Sequence, residues 1–283
     1  MFSIIIPTFN NVKYLKICIE SIKKNSTFNH EIIAHVNLGE DGTKEYLDKE
    51  NIEYTFTNYN AGICEGMNKA TKKANFDFIL YSHDDFYFCP KWDEVLNEEI
   101  KKIGHNRFYL SGIMMNNGPL KFDAGSDFET FDEKKLLENY NKVLFHDFQG
   151  TTWAPSLVPI KTWNKVGGFS EEYTYGLGSD PDFNMKLWNI GVRLFKGISK
   201  SRVYHFSSVS LRSKVWNDGH KTFLLKWGIS IKFFRKHYLR SDTIFNEELS
   251  DPIKNIDYYF GLFKCKFKLF LIRFLNLITS SKS

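Results

Sequence analysis

Two adjacent carboxylates, Asp84 and Asp85, close the run Phe78-Ile79-Leu80-Tyr81-Ser82-His83-Asp84-Asp85-Phe86. An apolar run of this length reads as a buried strand. Neighbouring acids repel each other, so a fold that sets them together at a strand end usually has cation or phosphate chemistry there. The carboxyl end of a buried parallel strand is also where open α/β sheets bind ligands. The same acids could instead cap a turn before the next helix, and these residues alone leave the two readings level. A second acidic site follows later. Ser170-Glu171-Glu172-Tyr173-Thr174-Tyr175-Gly176-Leu177-Gly178-Ser179-Asp180-Pro181-Asp182 is a Gly-, Tyr- and acid-rich loop that runs into a helix. A carboxylate at a helix start can act chemically or satisfy the free N–H groups there.

The elements that must hold these acids alternate along the chain. Phe2–Ile6 is a β-branched run before Pro7, and the proline predicts that the chain leaves the sheet there. Val12, Leu15, Ile19 and Ile22 then recur at helical spacing. Further strands are expected at Glu31–Val36, Ile52–Thr57 and Phe108–Met115. Helices are expected at Lys44–Glu50, Ile63–Lys73 and Trp92–Ile103. This alternation predicts a mostly parallel sheet with helices on both faces. Beyond a loop over 116–131, strands are expected at Val143–Phe148, Thr152–Val158, Val192–Phe195 and Arg202–Phe206. Helical segments are expected at Lys161–Val166, Phe183–Ile190 and Phe223–Tyr238, with a polar stretch at Ser207, Ser208 and Ser210 between strand and helix.

Composition limits the class. The 283 residues suffice to bury roughly 70–75% of the unfolded surface. The charge of +5 is a mild surplus, weak evidence for nucleic acid, and none is expected as a partner. Four scattered cysteines with no CxxC pair argue against zinc and against a disulfide framework, and suit a reducing compartment. The strand-like run directly after Met1 predicts no secretory leader. Tyr258–Ile278 is aromatic and aliphatic, interrupted by Lys264, Lys266, Lys268 and Arg273. It suits either an interfacial segment on an anionic leaflet or a helix packed on its own domain.

Several segments together resemble the family 2 glycosyltransferases of GT-A fold. Ser3-Ile4-Ile5-Ile6-Pro7-Thr8-Phe9-Asn10 is similar to the opening strand. Asp41-Gly42-Thr43, then Asn60-Ala61-Gly62 with Asn68, are similar to the next signatures. Ser82-His83-Asp84-Asp85 stands where the DxD-type motif stands. Val166-Gly167-Gly168-Phe169 with Asp180 and Asp182 resembles the acceptor-side segment, and His205 matches a late histidine. The resemblance covers about residues 2–210. Three positions depart from it: Val36 replaces an acid near the nucleotide base, Ser82 replaces the first acid of the DxD, and Ser179 replaces a Glu beside the later Asp. The chain has no QxxRW segment, which favours one sugar added per encounter.

The resemblance implies an α/β GT-A domain over 1–210, its donor half about 1–115 and its acceptor half about 116–210. A helical, basic and aromatic extension over 211–283 would follow. It implies inverting transfer of one sugar from a nucleotide-sugar donor to a glycan or lipid-linked hydroxyl, in the cytoplasm or at the cytosolic face of a membrane. It gives the metal, Mn²⁺ or Mg²⁺, to Asp85 and His205. Asp180 would be the general base, with Asp182 in reserve. The donor would lie on Pro7, Thr8, Phe9, Asn37, Asn68 and Asp84, and the acceptor on Trp153, Tyr175 and Asp182. The Ser82 and Ser179 departures motivate another expectation, a catalytically silent nucleotide-binding or scaffold protein. A nucleotidyltransferase would need a Gly- and Lys/Arg-rich phosphate loop after the first strand, and Pro7-Thr8-Phe9-Asn10 has none.

Overall fold

The computed structural model describes residues 1–206 and 218–280. Its first half is the expected alternation. Strands β1 (Ser3–Phe9), β2 (Glu31–Asn37), β3 (Glu53–Thr57) and β4 (Phe78–Tyr81) are joined by helices α1 (Val12–Asn25), α2 (Thr43–Lys49) and α3 (Gly62–Thr71). These strands are all parallel, in the order β3-β2-β1-β4. Helix α1 buries Leu15, Cys18, Ile19 and Ile22, the stripe its spacing predicts.

The second half adds β5 (Phe86–Phe88), α4 (Trp92–Ile103), β6 (Phe108–Asn116), α5 (Glu133–Asn139), β7 (Phe148–Gln149), β8 (Ser156–Pro159), α6 (Ile160–Val166), α7 (Ser179–Asn189) and β9 (Leu194–His205). Among the described residues the nine strands form one mixed sheet, ordered β3-β2-β1-β4-β8-β6-β9-β5, with β7 paired to β9. Three helices close the chain: α8 (Gly219–Trp227), α9 (Ile231–His237) and α10 (Ile256–Ser280). Phe223, Leu224, Phe233, Phe234, Tyr258 and Cys265 from these helices join the same hydrophobic cluster as the sheet. All four cysteines are buried free thiols.

Several expectations are corrected. The chain does not leave the sheet at Pro7, because β1 continues to Phe9 and Pro7 pairs with His35. The Ile5 carbonyl accepts from Ser82 N–H, and backbone groups alternate sides along a strand, so the missing Pro7 N–H faces the β4 side. Pairing with β4 has already ended at Ile5–Tyr81, so no ladder bond is lost. The run Phe78–Phe86 is not one strand. It breaks at Ser82–Asp85 into β4 and β5, and β5 runs antiparallel to β9. The two short strands expected around Val192–Phe195 and Arg202–Phe206 are one long β9. Its pairing with β6 skips from Ser111↔Gly197 to Ile113↔Arg202, an irregularity that lets two apolar runs share a strand. The strands expected at 143–148 and 152–158 shrink to β7 and β8. The helix expected at Phe223–Tyr238 is two, divided at Gly228, whose φ of 71° suits a left-handed stop. Helix α5 lies beyond the predicted 116–131 loop, capped by Asp132 accepting from Lys135 N–H. Ser207, Ser208 and Ser210, and the expected boundary at 210, lie outside the described residues.

Candidate active site

Pro7, Thr8, Phe9, Asn37 and Asp84 lie at the carboxyl ends of parallel strands, the usual ligand edge of such a sheet. Thr8 Oγ1 donates to Asp84 Oδ2 at 2.7 Å. Asn11 adds a second side-chain bond. Burial, and then the charge of Asp85, outweigh these bonds and push Asp84 up to about 7.

Pairing of β5 with β9 builds the next part of the site. It sets Phe86 opposite His205, and Phe206 N–H bonds to the Asp85 carbonyl at 3.2 Å. Asp85 is thereby held beside the imidazole, with His205 Nε2 3.5 Å from its Oδ2. His83 Nδ1 lies 4.0 Å from Asp85 Oδ1, and the His83 ring stacks on Phe86. One ligand atom from each of His83, Asp85 and His205 lies within 4.8 Å of the others. His205 Nδ1 is 3.2 Å from the Asn117 carbonyl, so donation there leaves Nε2 facing Asp85. Burial pushes His205 down, yet the bond to Asp85 and its charge raise it overall. Burial holds His83 down at about 4, which keeps it neutral and able to ligate.

Asp180 sits in the first turn of α7, behind a left-handed Gly178 that is the N-cap without a side-chain bond. Its Oδ1 is buried with no hydrogen-bond partner among the described residues. Burial alone raises the group to about 7. Tyr81, the last residue of β4, feels the charges of both Asp180 and Asp84. Gly62, the first residue of α3, ties the halves together. A Cβ on it would stand 2.9 Å from the backbone nitrogen of half-buried Tyr175, so glycine permits the contact.

Fold and geometry together place acids and imidazoles at the ligand edge of the sheet, and comparison with known proteins decides the family. The profile described as Glycosyl transferase family 2 matches residues 3–154, more than half of the chain. The chain belongs to glycosyl transferase family 2. An uncharacterized glycosyltransferase of Rickettsia typhi is 26% identical over 224 residues, 76% of this chain and 64% of the relative. A chondroitin synthase of Pasteurella multocida is 25% identical over 266 residues, 79% of this chain and 26% of the synthase. The chain thus spans less than two thirds of either relative. Among solved structures, S. aureus TarS 1-349 in complex with UDP-GlcNAc superposes with a TM-score of 0.59 at 17% identity, covering 79% of this chain and 64% of that one. That likeness speaks for the GT-A fold.

Within this family frame, several predicted residues have partners in the protein itself. Asn37 donates to the Thr8 carbonyl at 3.1 Å and accepts from Ala61 N–H at 2.8 Å, so its amide ties the strand ends together. Asn68 accepts from Phe169 N–H and donates to the Phe169 carbonyl, both at 2.9 Å, which staples α3 to the Gly167-Gly168-Phe169 turn. Asp182, expected at the acceptor, is fully buried; Ser170 donates to one oxygen and Trp227 Nε1 to the other, with Lys226 at 2.9 Å. Short polar side chains at loop ends serve the backbone as readily as a ligand, and here the backbone binds both amides while side chains bind Asp182. Trp153 stacks on Phe148 at 5.2 Å and keeps a buried Nε1 without a partner among the described residues. His83 is the residue to which the sequence reading assigned no role. The signal was an imidazole one position from an acid pair at a strand end. Ser82 is buried and donates to the His83 carbonyl, and Ser179 donates to the Gly176 carbonyl.

Proposed function

We propose that this protein is an inverting glycosyltransferase that moves one sugar from a nucleotide-sugar donor to a glycan or lipid-linked hydroxyl. The observation that carries the reading is Asp180: a partly buried carboxylate whose Oδ1 has no hydrogen-bond partner among the described residues, raised to about 7, with Tyr81 within reach of its charge and of that of Asp84. A general base works best with its pKa near the working pH. In the proposed step the acceptor oxygen bonds to the anomeric carbon from the face opposite the diphosphate. The bond from that carbon to the diphosphate oxygen breaks, and the hydroxyl proton passes to Asp180.

Asp85, His205 and His83 would hold a divalent cation, and their mixed oxygen and nitrogen donors favour Mn²⁺ over Mg²⁺. Bound there, the ion would supply stabilisation of negative charge on a departing diphosphate. His83 makes up for the acid that Ser82 lacks. Pro7, Thr8 and Phe9 would floor the donor, with Asn37 and Asn68 shaping its walls from behind. Trp153 and Tyr175 would face the acceptor. UDP-GlcNAc, bound by TarS, is the first donor to try.

The test is a donor screen in which release of nucleoside diphosphate is measured with and without Mn²⁺. Metal-dependent turnover that Asp180→Asn abolishes, with unchanged circular dichroism, supports the reading. No turnover of any sugar nucleotide would leave the silent binding module instead.

A further inference from the structure

Helix α10 is apolar on two opposite faces. Tyr258, Leu262, Cys265, Leu269 and Ile272 recur every three or four residues and pack toward the main core. Phe260, Phe263, Phe267, Phe270 and Phe274 recur in the same way about half a turn away, and all are 50% exposed or more. Basic residues border this aromatic stripe on both sides. Lys264 and Lys268 lie along one flank, Lys266 and Arg273 along the other, and all four are exposed. On the first flank the stripe meets a hollow of about 690 Å³ between α8, α9 and α10. Lys232, Lys236, Lys264 and Lys268 line it, with Phe233 and Phe260 among its apolar walls. Lys264 Nζ rests 4.1 Å over the Phe260 ring, which joins the cationic flank to the stripe.

We propose that α10 docks in the plane of an anionic lipid surface, with the aromatic stripe among the acyl chains and the lysine-lined hollow taking a headgroup phosphate. The stripe repeats at 3.5 residues, so pairing with a second copy of α10 is the competing geometry. Charge decides between them. In a paired helix Lys264, Lys266 and Arg273 would flank the seam, and the same cations would face them from the partner. The flanking acid Asp257 is already engaged by Lys236 at 2.6 Å. An anionic leaflet complements the pattern, whereas a second copy repels it. Phenylalanine inside a basic border is also the arrangement of helices that lie in an interface. Among the described residues no helix is long and apolar enough to cross a membrane, so the contact is peripheral.

The proposal goes beyond sugar transfer and does not rest on it. Its test is flotation of the full chain with vesicles of phosphatidylcholine alone, or mixed with phosphatidylglycerol. The chain should float with the anionic vesicles, and added salt should weaken the binding. Each lysine near the surface contributes about fivefold, so Lys264→Glu with Lys268→Glu should lose at least about tenfold. The triple change Phe263→Ser, Phe267→Ser and Phe270→Ser should abolish flotation, with circular dichroism unchanged because these rings lie outside the core. Equal binding to both vesicle types, or full binding by the triple variant, would overturn the proposal. So would a dimer in sedimentation equilibrium that the triple variant dissociates. Saturation by inorganic phosphate without any vesicle binding would reduce the hollow to an anion site and overturn it too.

Discussion

A carboxylate can take a proton from an acceptor only when it is ionised, and burial lifts Asp180 from its ordinary 3.8 to about 7. Turnover should therefore climb as pH rises through about 7, and a pH profile of kcat/KM checks this. Asp180→Asn should lose about 10²–10⁴-fold, the usual worth of a general base. The same shift has a consequence for stability. Between the two pKa values the folded chain holds a proton that the unfolded chain has released, so this group's effect on stability grows less favourable as pH rises from about 4 to about 7. Asp180→Asn removes that cost. The variant should be more stable than wild type at pH 8 by on the order of 2–4 kcal/mol, and the gap should narrow toward pH 4. Calorimetry at both ends checks the sign; an Asn variant less stable at pH 8 would mean that Asp180 has a favourable partner. At the proposed metal trio, Asp85→Asn and His83→Ala should each weaken Mn²⁺ binding by about tenfold or more, followed by electron paramagnetic resonance. Full affinity in the His83 variant would return the site to Asp85 and His205 alone.

At the scale of elements, the Gly167-Gly168-Phe169 turn shows how the second half of the chain is held against α3. Both glycines have φ near 70°, where a side chain is strained. A Cβ on Gly167 meets open space, whereas one on Gly168 would stand 2.3 Å from Asn68 Oδ1. Gly167→Ala should cost about 1–2 kcal/mol from backbone strain alone. Gly168→Ala should cost clearly more, because it also breaks the staple, and urea unfolding of the pair separates the two effects. Asn68→Ala, which strands the Phe169 backbone groups, should cost about 1–3 kcal/mol. The strands and helices of the first half were legible in the sequence because each carries its own hydrophobic period. Strand β5 and the length of β9 were not, because three residues of Phe86–Phe88 become a strand only once β9 lies beside them. The backbone partners of Asn37 and Asn68 were not legible for a related reason. An amide at a loop end suits ligand and backbone equally, and only the position of residues 61 and 169 tells which it serves. His83 was hidden because its partner His205 is far away in sequence.

On the scale of the whole molecule, a donor that lies across the strand ends would touch groups supplied by β1, the loop after β4 and the end of β9. Those groups come together only in the folded chain. A ligand that binds the native state alone raises its melting point, by about 2.7 kcal/mol at a hundred times Kd. For a chain of this length that corresponds to roughly 5 °C. With Mn²⁺ present, UDP-GlcNAc should produce a shift of this order, and excess EDTA should remove most of it, because a diphosphate would then face Asp84 and Asp85 without an intervening cation. Asp85→Asn should behave like EDTA. Asp180→Asn should keep the donor-induced shift if, as proposed, Asp180 serves the acceptor hydroxyl rather than the diphosphate. Loss of the shift in both variants would mean that the two acids serve one binding site and that the division of labour between them is wrong.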